Sequence, residues 1–294
     1  MYPNLNPGAL GIRANLPETI TLARDHGFEG VDFSIVEAAD LIDAHGIEYV
    51  QDLGAAAQVR LGSWGFPVDF RGDEVTWQQD LEALPRLASM AQALGCERTA
   101  TWIMPCSDEL TFQANFDFHV ARLRPAAKIL SDYGCRLGLE FVGPKTMRAS
   151  RRYEFIYTLF GMLELCQAIG TGNVGLLLDA YHLYTSHGSL AEVRKLTNRD
   201  VVVVHVNDAP AGVPMDEQLD NVRALPGETG ILDITGFLHA LQAISYDGPV
   251  TPEPFSERLR VLPPAEAIHE AGQAMRRIWQ AAGLEIQGGK YDSI

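Results

Sequence analysis

The sequence predicts an α/β protein folded as a single (β/α)8 barrel spanning residues 1–294, and three observations predict it. Short β-branched or apolar runs alternate with longer amphipathic stretches from one end of the chain to the other. Runs such as Val201–Val204 are apolar throughout, which suits a parallel strand covered on both faces. The alternation is regular over a length that a barrel of roughly 250 residues needs, and this favours closure over an open, doubly wound sheet. With no linker visible, the chain is expected to form one domain.

The elements follow in order. A first strand is expected near Gly8–Arg13. Pro17–His26 has a helical pattern, with Gly27 as its stop signal, and Gly30–Ser34 reads as a strand. Two helical pieces, Val36–His45 and Glu48–Val59, precede a strand at Arg60–Trp64. Glu74–Leu94 is a long amphipathic helix ended by Gly95, and Arg98–Met104 is the fourth strand. Phe112–Tyr133 is a helix ended by Gly134, followed by a strand at Arg136–Val142. Tyr153–Ile169 reads as a helix ended by Gly170, Val174–Leu178 as a strand, and Leu190–Leu196 as a short helix. Val201–Val206 is the seventh strand, and a long polar segment, Asn207–Gly230, follows it. Ile234–Ile244 is a helix, Pro249–Glu253 the eighth strand, and Pro264–Ala282 the last helix. Gly283 would stop that helix, with Leu284–Ile294 as a frayed tail.

Composition narrows the function. The 294 residues carry 23 Lys plus Arg against 38 Asp plus Glu, a formal net charge of −15. Nucleic acid and anionic membrane surfaces need concentrated basic charge, so neither is expected as a partner. No apolar run approaches the roughly 20 residues of a membrane-spanning helix. Met1–Gly11 lacks the basic start and apolar core of a signal peptide, so a cytoplasmic protein is expected. Cys96, Cys106, Cys135 and Cys166 form no CxxC pair and read as reduced, mostly buried thiols.

In a barrel of this type the active site lies at the C-terminal ends of the strands. Four consecutive strands close on a residue able to hold a metal. The fifth reaches Glu140, the sixth Asp179, the seventh His205 and the eighth Glu253. Any one of these could cap a helix or make a loop salt bridge. Three carboxylates meeting over an apolar core would repel one another, and a divalent cation removes that penalty. Three oxygens and an imidazole suit manganese, magnesium, cobalt or zinc, and the oxygen-rich set favours manganese.

The motifs around these residues resemble the sugar phosphate isomerase/epimerase superfamily, the xylose isomerase-like TIM barrels. They are Leu139-Glu140-Phe141, Asp179-Ala180-Tyr181-His182, His205-Val206-Asn207-Asp208, Arg223 to Gly230, and Tyr246-Asp247-Gly248-Pro249 leading to Glu253-Pro254-Phe255. The resemblance implies that Glu140, Asp179, His205 and Glu253 are the metal ligands. It implies that Glu140 and Glu253 also exchange protons on opposite faces of the substrate carbon. His182 falls on a histidine that holds a substrate oxygen, and Arg223 on an arginine that grips a hydroxyl or carbonyl. A bound cation would polarise an α-hydroxy ketone and stabilise the enediolate, making the adjacent C–H acidic enough for a carboxylate base. Proton return to the same carbon gives epimerisation, return to its neighbour gives isomerisation, and loss of a β-hydroxyl gives dehydration. The expected substrate is a sugar, sugar phosphate or keto-polyol. A dehydratase of a keto-inositol is the alternative, ahead of an AP-endonuclease-like nuclease or a degenerate sugar-binding barrel. A homo-oligomer is left open.

Several residues carry two readings. Lys145 could bind a substrate carbonyl or phosphate, with Arg148, Arg151 and Arg152 hinting at an anionic substrate, or could start a solvated helix. Trp64 and Trp102 end the third and fourth strands and could wall a sugar-sized pocket or pack in the core. His187 reads as surface, while His26, His45, His119, His239 and His269 read as structural. Asn207 and Asp208 are expected to orient the loop after the seventh strand and to fix His205. Glu228, in a Pro-Gly-Glu turn, could touch His182 or a metal ligand or simply complete the turn.

Overall fold

A computed structural model describes residues 1–286 of the chain. Eight parallel strands close into a barrel: β1 Tyr2–Leu5, β2 Gly30–Phe33, β3 Arg60–Gly65, β4 Arg98–Ile103, β5 Arg136–Phe141, β6 Val174–Asp179, β7 Val201–Val206 and β8 Pro249–Pro252. Each strand pairs with its neighbours in sequence, and β1 pairs with β8 through Tyr2–Pro249 and Pro3–Val250 to shut the ring. Closure leaves no free sheet edge.

The main helices are α1 Leu16–His26, α2 Ile35–His45, α3 Ile47–Ala57, α4 Glu74–Ala93, α5 Phe112–Asp132, α6 Leu159–Ile169, α7 Ile234–Ala243 and α8 Pro264–Ala281. Local chemistry sets their starts. Asn15 and Glu18 form a capping box at α1, and Asp73, Thr111 and Thr158 each accept a hydrogen bond from a first-turn N–H of α4, α5 and α6. One face of each helix is apolar; in α8 it carries Ile268, Met275, Ile278 and Trp279, all buried. Each large side chain so buried contributes about 1.5–3 kcal/mol. Inside the barrel, Leu177, Val202 and Val203 pack with Ala100 as a separate apolar cluster. Leu177 pairs in register with Glu140 and precedes Asp179 by two residues, so this cluster floors the rim where the acids stand. Among the described residues no helix is long and apolar enough to cross a membrane.

The fold departs from the sequence expectations in four places. The first strand is Tyr2–Leu5, not Gly8–Arg13; Pro7–Leu10 is instead a 3-10 turn capped by Asn6 and ended by Gly11. Pro3 and Asn4 are poor strand formers, so only the pairing with β8 and β2 makes this segment a strand. The helix expected from Tyr153 starts at Leu159, because Tyr153–Glu154 pairs antiparallel with Cys106–Ser107. The helix expected at Leu190–Leu196 is the single turn Leu190–Val193. A short helix, Ala180–Thr185, begins directly after β6. Of the tail expected at Leu284–Ile294, residues 287–294 lie outside the described residues.

Candidate active site and metal centre

Parallel strands in register bring their C-terminal residues to one rim. Asp179 pairs with His205 across β6 and β7, while Glu253 follows β8 and donates its backbone N–H to the Val206 carbonyl. Glu140, Asp179, His205 and Glu253 therefore converge, each offering a donor atom, and these atoms all lie within 4.8 Å of one another. His205 Nδ1 stands 3.7 Å from Glu140 Oε1, 4.0 Å from Asp179 Oδ2 and 3.4 Å from Glu253 Oε2.

A shell of donors fixes two of the four, Asp179 and Glu253. Asp179 caps the Ala180–Thr185 helix, accepting from Tyr181 N at 2.6 Å and His182 N at 3.3 Å. The Asn207 amide donates to both Asp179 oxygens at 3.2 Å and to the Glu253 carbonyl at 3.4 Å. Arg223 Nη1 donates to Asp179 Oδ2 and to Glu253 Oε2, both at 2.8 Å. Its Nε and Nη2 donate to the backbone carbonyl and the carboxylate of Asp220 at 2.8 and 3.0 Å. The Tyr181 and Phe255 rings flank the guanidinium at 4.7 and 4.8 Å. Gly143 N lies 3.3 Å from His182 Nδ1, so the backbone N–H and the Arg223 guanidinium, both donors, compete for the single acceptor nitrogen of a neutral ring. His182 Nε2 stands 3.8 Å from Glu140 Oε1 and 3.2 Å from Arg223 Nη2. Only glycine fits at position 143, since a side chain there would strike the His182 carbonyl and Thr185 Oγ1.

The charges are unequal in consequence. Burial, reinforced by the negative charge of Glu253, raises the Glu140 carboxyl well above its usual range. Burial works the same way on Asp179, but the charge of Arg223 above all, with His182 and His205 close by, outweighs it and holds the group at about 2. For Glu253 the attraction of His205 and Arg223 likewise exceeds burial, and its pKa is lowered.

The donor set fits a divalent cation. Glu140 Oε1 and His205 Nδ1 are buried and have no hydrogen-bond partner, although both face the centre of the cluster. A buried lone pair left unmatched costs about 1–3 kcal/mol, and two of them aimed at one point are what a ligand set presents without its ion.

Other sequence candidates are placed differently. Trp102 pairs in register with Glu140, so its ring leaves the same side of the sheet, and it is 40% exposed at the rim. Trp64 is fully buried, donating from its indole to the Cys96 carbonyl at 3.0 Å. The reason is strand alternation: Ser63 turns into the barrel to reach Asp32, which sends Trp64 to the helix side and away from any pocket. Lys145 is half exposed and ion-paired with Asp216 at 2.8 Å, and His187 shares that carboxylate at 2.9 Å. Arg151 pairs with Asp108, Arg152 stacks on Tyr153, and Arg148 is buried over Tyr157 and on the Gly143 carbonyl. Lys145, Arg148 and Arg151 in this basic patch thus have acidic partners, while Arg152 is held against a ring. Glu228 completes a turn, accepting from Leu225 N at 2.8 Å, and meets Arg258 rather than His182. Asn207 fixes Asp179 rather than His205, while Asp208 anchors the loop.

Two residues were not singled out from sequence. Asp220 orients Arg223, and nothing in its polar surroundings marks it. Asp32 is the penultimate residue of β2, so attention to strand ends in the first half of the chain would have found it. Its carboxylate accepts from Asn4, Ser63 and Thr251 at 2.7, 2.5 and 3.2 Å, and it lies in the wall of a cavity of about 890 Å³ beside β1–β3. All four cysteines are free and buried.

Comparison with known proteins agrees with this architecture. A sequence profile described as xylose isomerase-like TIM barrel matches residues 20–278. An inosose isomerase of Bacillus velezensis is 20% identical over 278 residues, 90% of this chain and 92% of that protein. A 3-dehydroshikimate dehydratase of Pseudomonas putida is 25% identical over 95% of this chain and 42% of its own length. The solved structure of a xylose isomerase domain protein from Alicyclobacillus acidocaldarius superposes with a TM-score of 0.85 at 28% identity, covering 96% of this chain and 99% of the other.

Proposed function

The chain belongs to the xylose isomerase-like TIM-barrel family, and on that premise we propose that it is a divalent-metal-dependent isomerase or epimerase of a sugar, sugar phosphate or keto-polyol. The observation that carries this reading is the convergence of Glu140, Asp179, His205 and Glu253, with two buried donor atoms unmatched. These four residues would hold the cation, with manganese favoured by the oxygen-rich set. Bound there, a divalent ion supplies the charge that polarises the carbonyl and hydroxyl oxygens of an α-hydroxy ketone.

The chain's own groups do the rest. One of Glu140 and Glu253 removes the proton from the carbon beside the ketone, and the other returns a proton from the far side. His182, buried with Nε2 3.8 Å from Glu140 Oε1, is placed to hold a substrate oxygen. Arg223 holds Asp179 and Glu253 in place through one nitrogen, fixing the spacing of ligand and acid/base group. Trp102 supplies an apolar wall at the rim.

A second reading, a dehydratase acting on a keto-inositol or related keto-sugar, is favoured by the relative named as a 3-dehydroshikimate dehydratase. It uses the same first proton abstraction and differs in expelling a β-hydroxyl.

One experiment separates them. Manganese-loaded protein is incubated in D2O with a panel of ketoses and inososes, and products are followed by NMR and mass spectrometry. Deuterium in recovered substrate or its epimer or isomer is the expected result. Loss of water with a dicarbonyl product would select the dehydratase. No exchange with any compound, despite bound metal, would overturn both and leave a binding barrel.

A further inference from the structure

We propose that Arg71 recognises a carboxylate on the substrate, making the preferred ligand a hydroxy acid rather than a neutral sugar. This rests on the reading of the four-residue cluster as the reaction centre, and it names the substrate class that the centre serves.

Arg71 lies in the loop between β3 and α4, and that loop is fastened. The Asp69 carboxylate accepts from Arg71 N at 3.2 Å and Gly72 N at 3.0 Å, and Asp69 N donates to Asp80 at 2.7 Å. The guanidinium is fixed as well. It sits 4.2 Å from the Phe70 ring centre and 4.4 Å from that of Trp102, and it donates to the Trp102 carbonyl. Trp102 is the register partner of Glu140. Arg71 therefore flanks the rim on the side where Glu140 stands.

Its guanidinium has no salt-bridge partner, and the charge of Asp69 acts on it only without a direct contact. Among the described residues no carboxylate oxygen lies within 4.0 Å of its guanidinium nitrogens, whereas Lys145, Arg151, Arg223 and Arg258 on the same face all have acidic partners. Asp69, its acidic neighbour, is engaged with the backbone. The two rings strip water from the guanidinium and lower its pKa to about 10, so it stays charged at neutral pH. The residue as a whole is nonetheless exposed.

A guanidinium with rings against its faces still presents N–H donors along its edge. That edge matches a planar carboxylate in a two-bond fork. In a chain of net charge −15, a cation without a salt bridge on the Glu140 side of the rim has a specific use. It lets an anionic substrate approach a mouth that would otherwise repel it. A neutral sugar gains little from it.

The test compares binding of quinate with its carboxamide, and of ribose 5-phosphate with ribose, by calorimetry. Wild-type protein and the Arg71→Met variant are titrated, each with manganese and after EDTA treatment. Methionine keeps an apolar stem between the two rings and removes the charge. The expected result is a preference of about tenfold for quinate over its amide in the wild type, lost in Arg71→Met at equal manganese content and equal Tm. Three results would overturn the proposal: no acid preference in the wild type; an acid preference kept in Arg71→Met, which would place the carboxylate elsewhere; or loss of phosphate preference alone. Failure of manganese to bind would instead count against the reaction-centre reading, and the EDTA-treated titrations still report on Arg71.

Discussion

Glu140 has the least compensated position in the cluster: buried, with one oxygen lacking a partner and its acid raised by burial and by Glu253. Glu140→Gln keeps the shape, and its expected outcome is a folded barrel with turnover reduced by at least about a hundredfold, checked by circular dichroism and steady-state kinetics. His205→Ala removes the unmatched Nδ1, so metal affinity should fall about tenfold or more; unchanged metal content after dialysis would contradict it. His119 makes a separate prediction about pH. It is buried among Phe70, Phe118 and Phe155, and burial lowers its pKa to about 4 from an ordinary 6.5. Because the folded value is the lower one, the unfolded chain takes up the proton first as pH falls. His119 thus adds stability that is complete above pH 6.5 and disappears toward pH 4, at most about 3 kcal/mol. His119→Phe should flatten that slope in urea unfolding measured across this range. At this scale the rim residues were legible, because each closes a strand or a motif. Trp64 and Lys145 were not: strand alternation decided the first, and the position of Asp216, far along the chain, decided the second.

Among the elements, the loop after β7 decides whether the site is complete, since it delivers Arg223. Asp208 anchors it. Fully buried, the carboxylate accepts from the N–H groups of Ala209 and Leu232 at 2.9 Å, Thr229 at 3.1 Å and Gly230 at 2.8 Å, and a bridge joins Asp208 to Ala224 beside Arg223. Asp208→Ala leaves four backbone donors without their acceptor, and the two that are buried, on Ala209 and Leu232, cost about 1–3 kcal/mol each. The expected outcome is a lower Tm together with faster proteolytic cutting between residues 209 and 228. Unchanged cutting would show that the loop does not depend on this anchor. The sequence marked this segment as long and polar but not as anchored, because four backbone donors leave no trace in residue type. The same limit explains β1 and the ribbon at Tyr153–Glu154. Both are held by pairing with distant strands, against weak local preference.

For the whole molecule, closing the barrel sets three acids side by side on one rim, and folding bears their repulsion. A divalent cation should therefore stabilise the entire fold. At a free concentration a hundred times Kd it adds about 2.7 kcal/mol. Manganese should raise the Tm of the wild type, EDTA should reverse the rise, and His205→Ala should respond far less, all read by calorimetry. Sequence by itself determined the alternation of strand and helix, the barrel that this alternation makes, and the four residues at the ends of the last four strands. Those features are periodic or terminal, and they follow from side-chain polarity along one local direction. Only the tertiary structure decided how these groups are compensated: which acid Arg223 and Asn207 hold, which oxygen is left without a partner, and that Arg71 faces the rim beside Trp102. Such pairings join residues tens of positions apart, and the free energy that fixes them exists only once the barrel has closed.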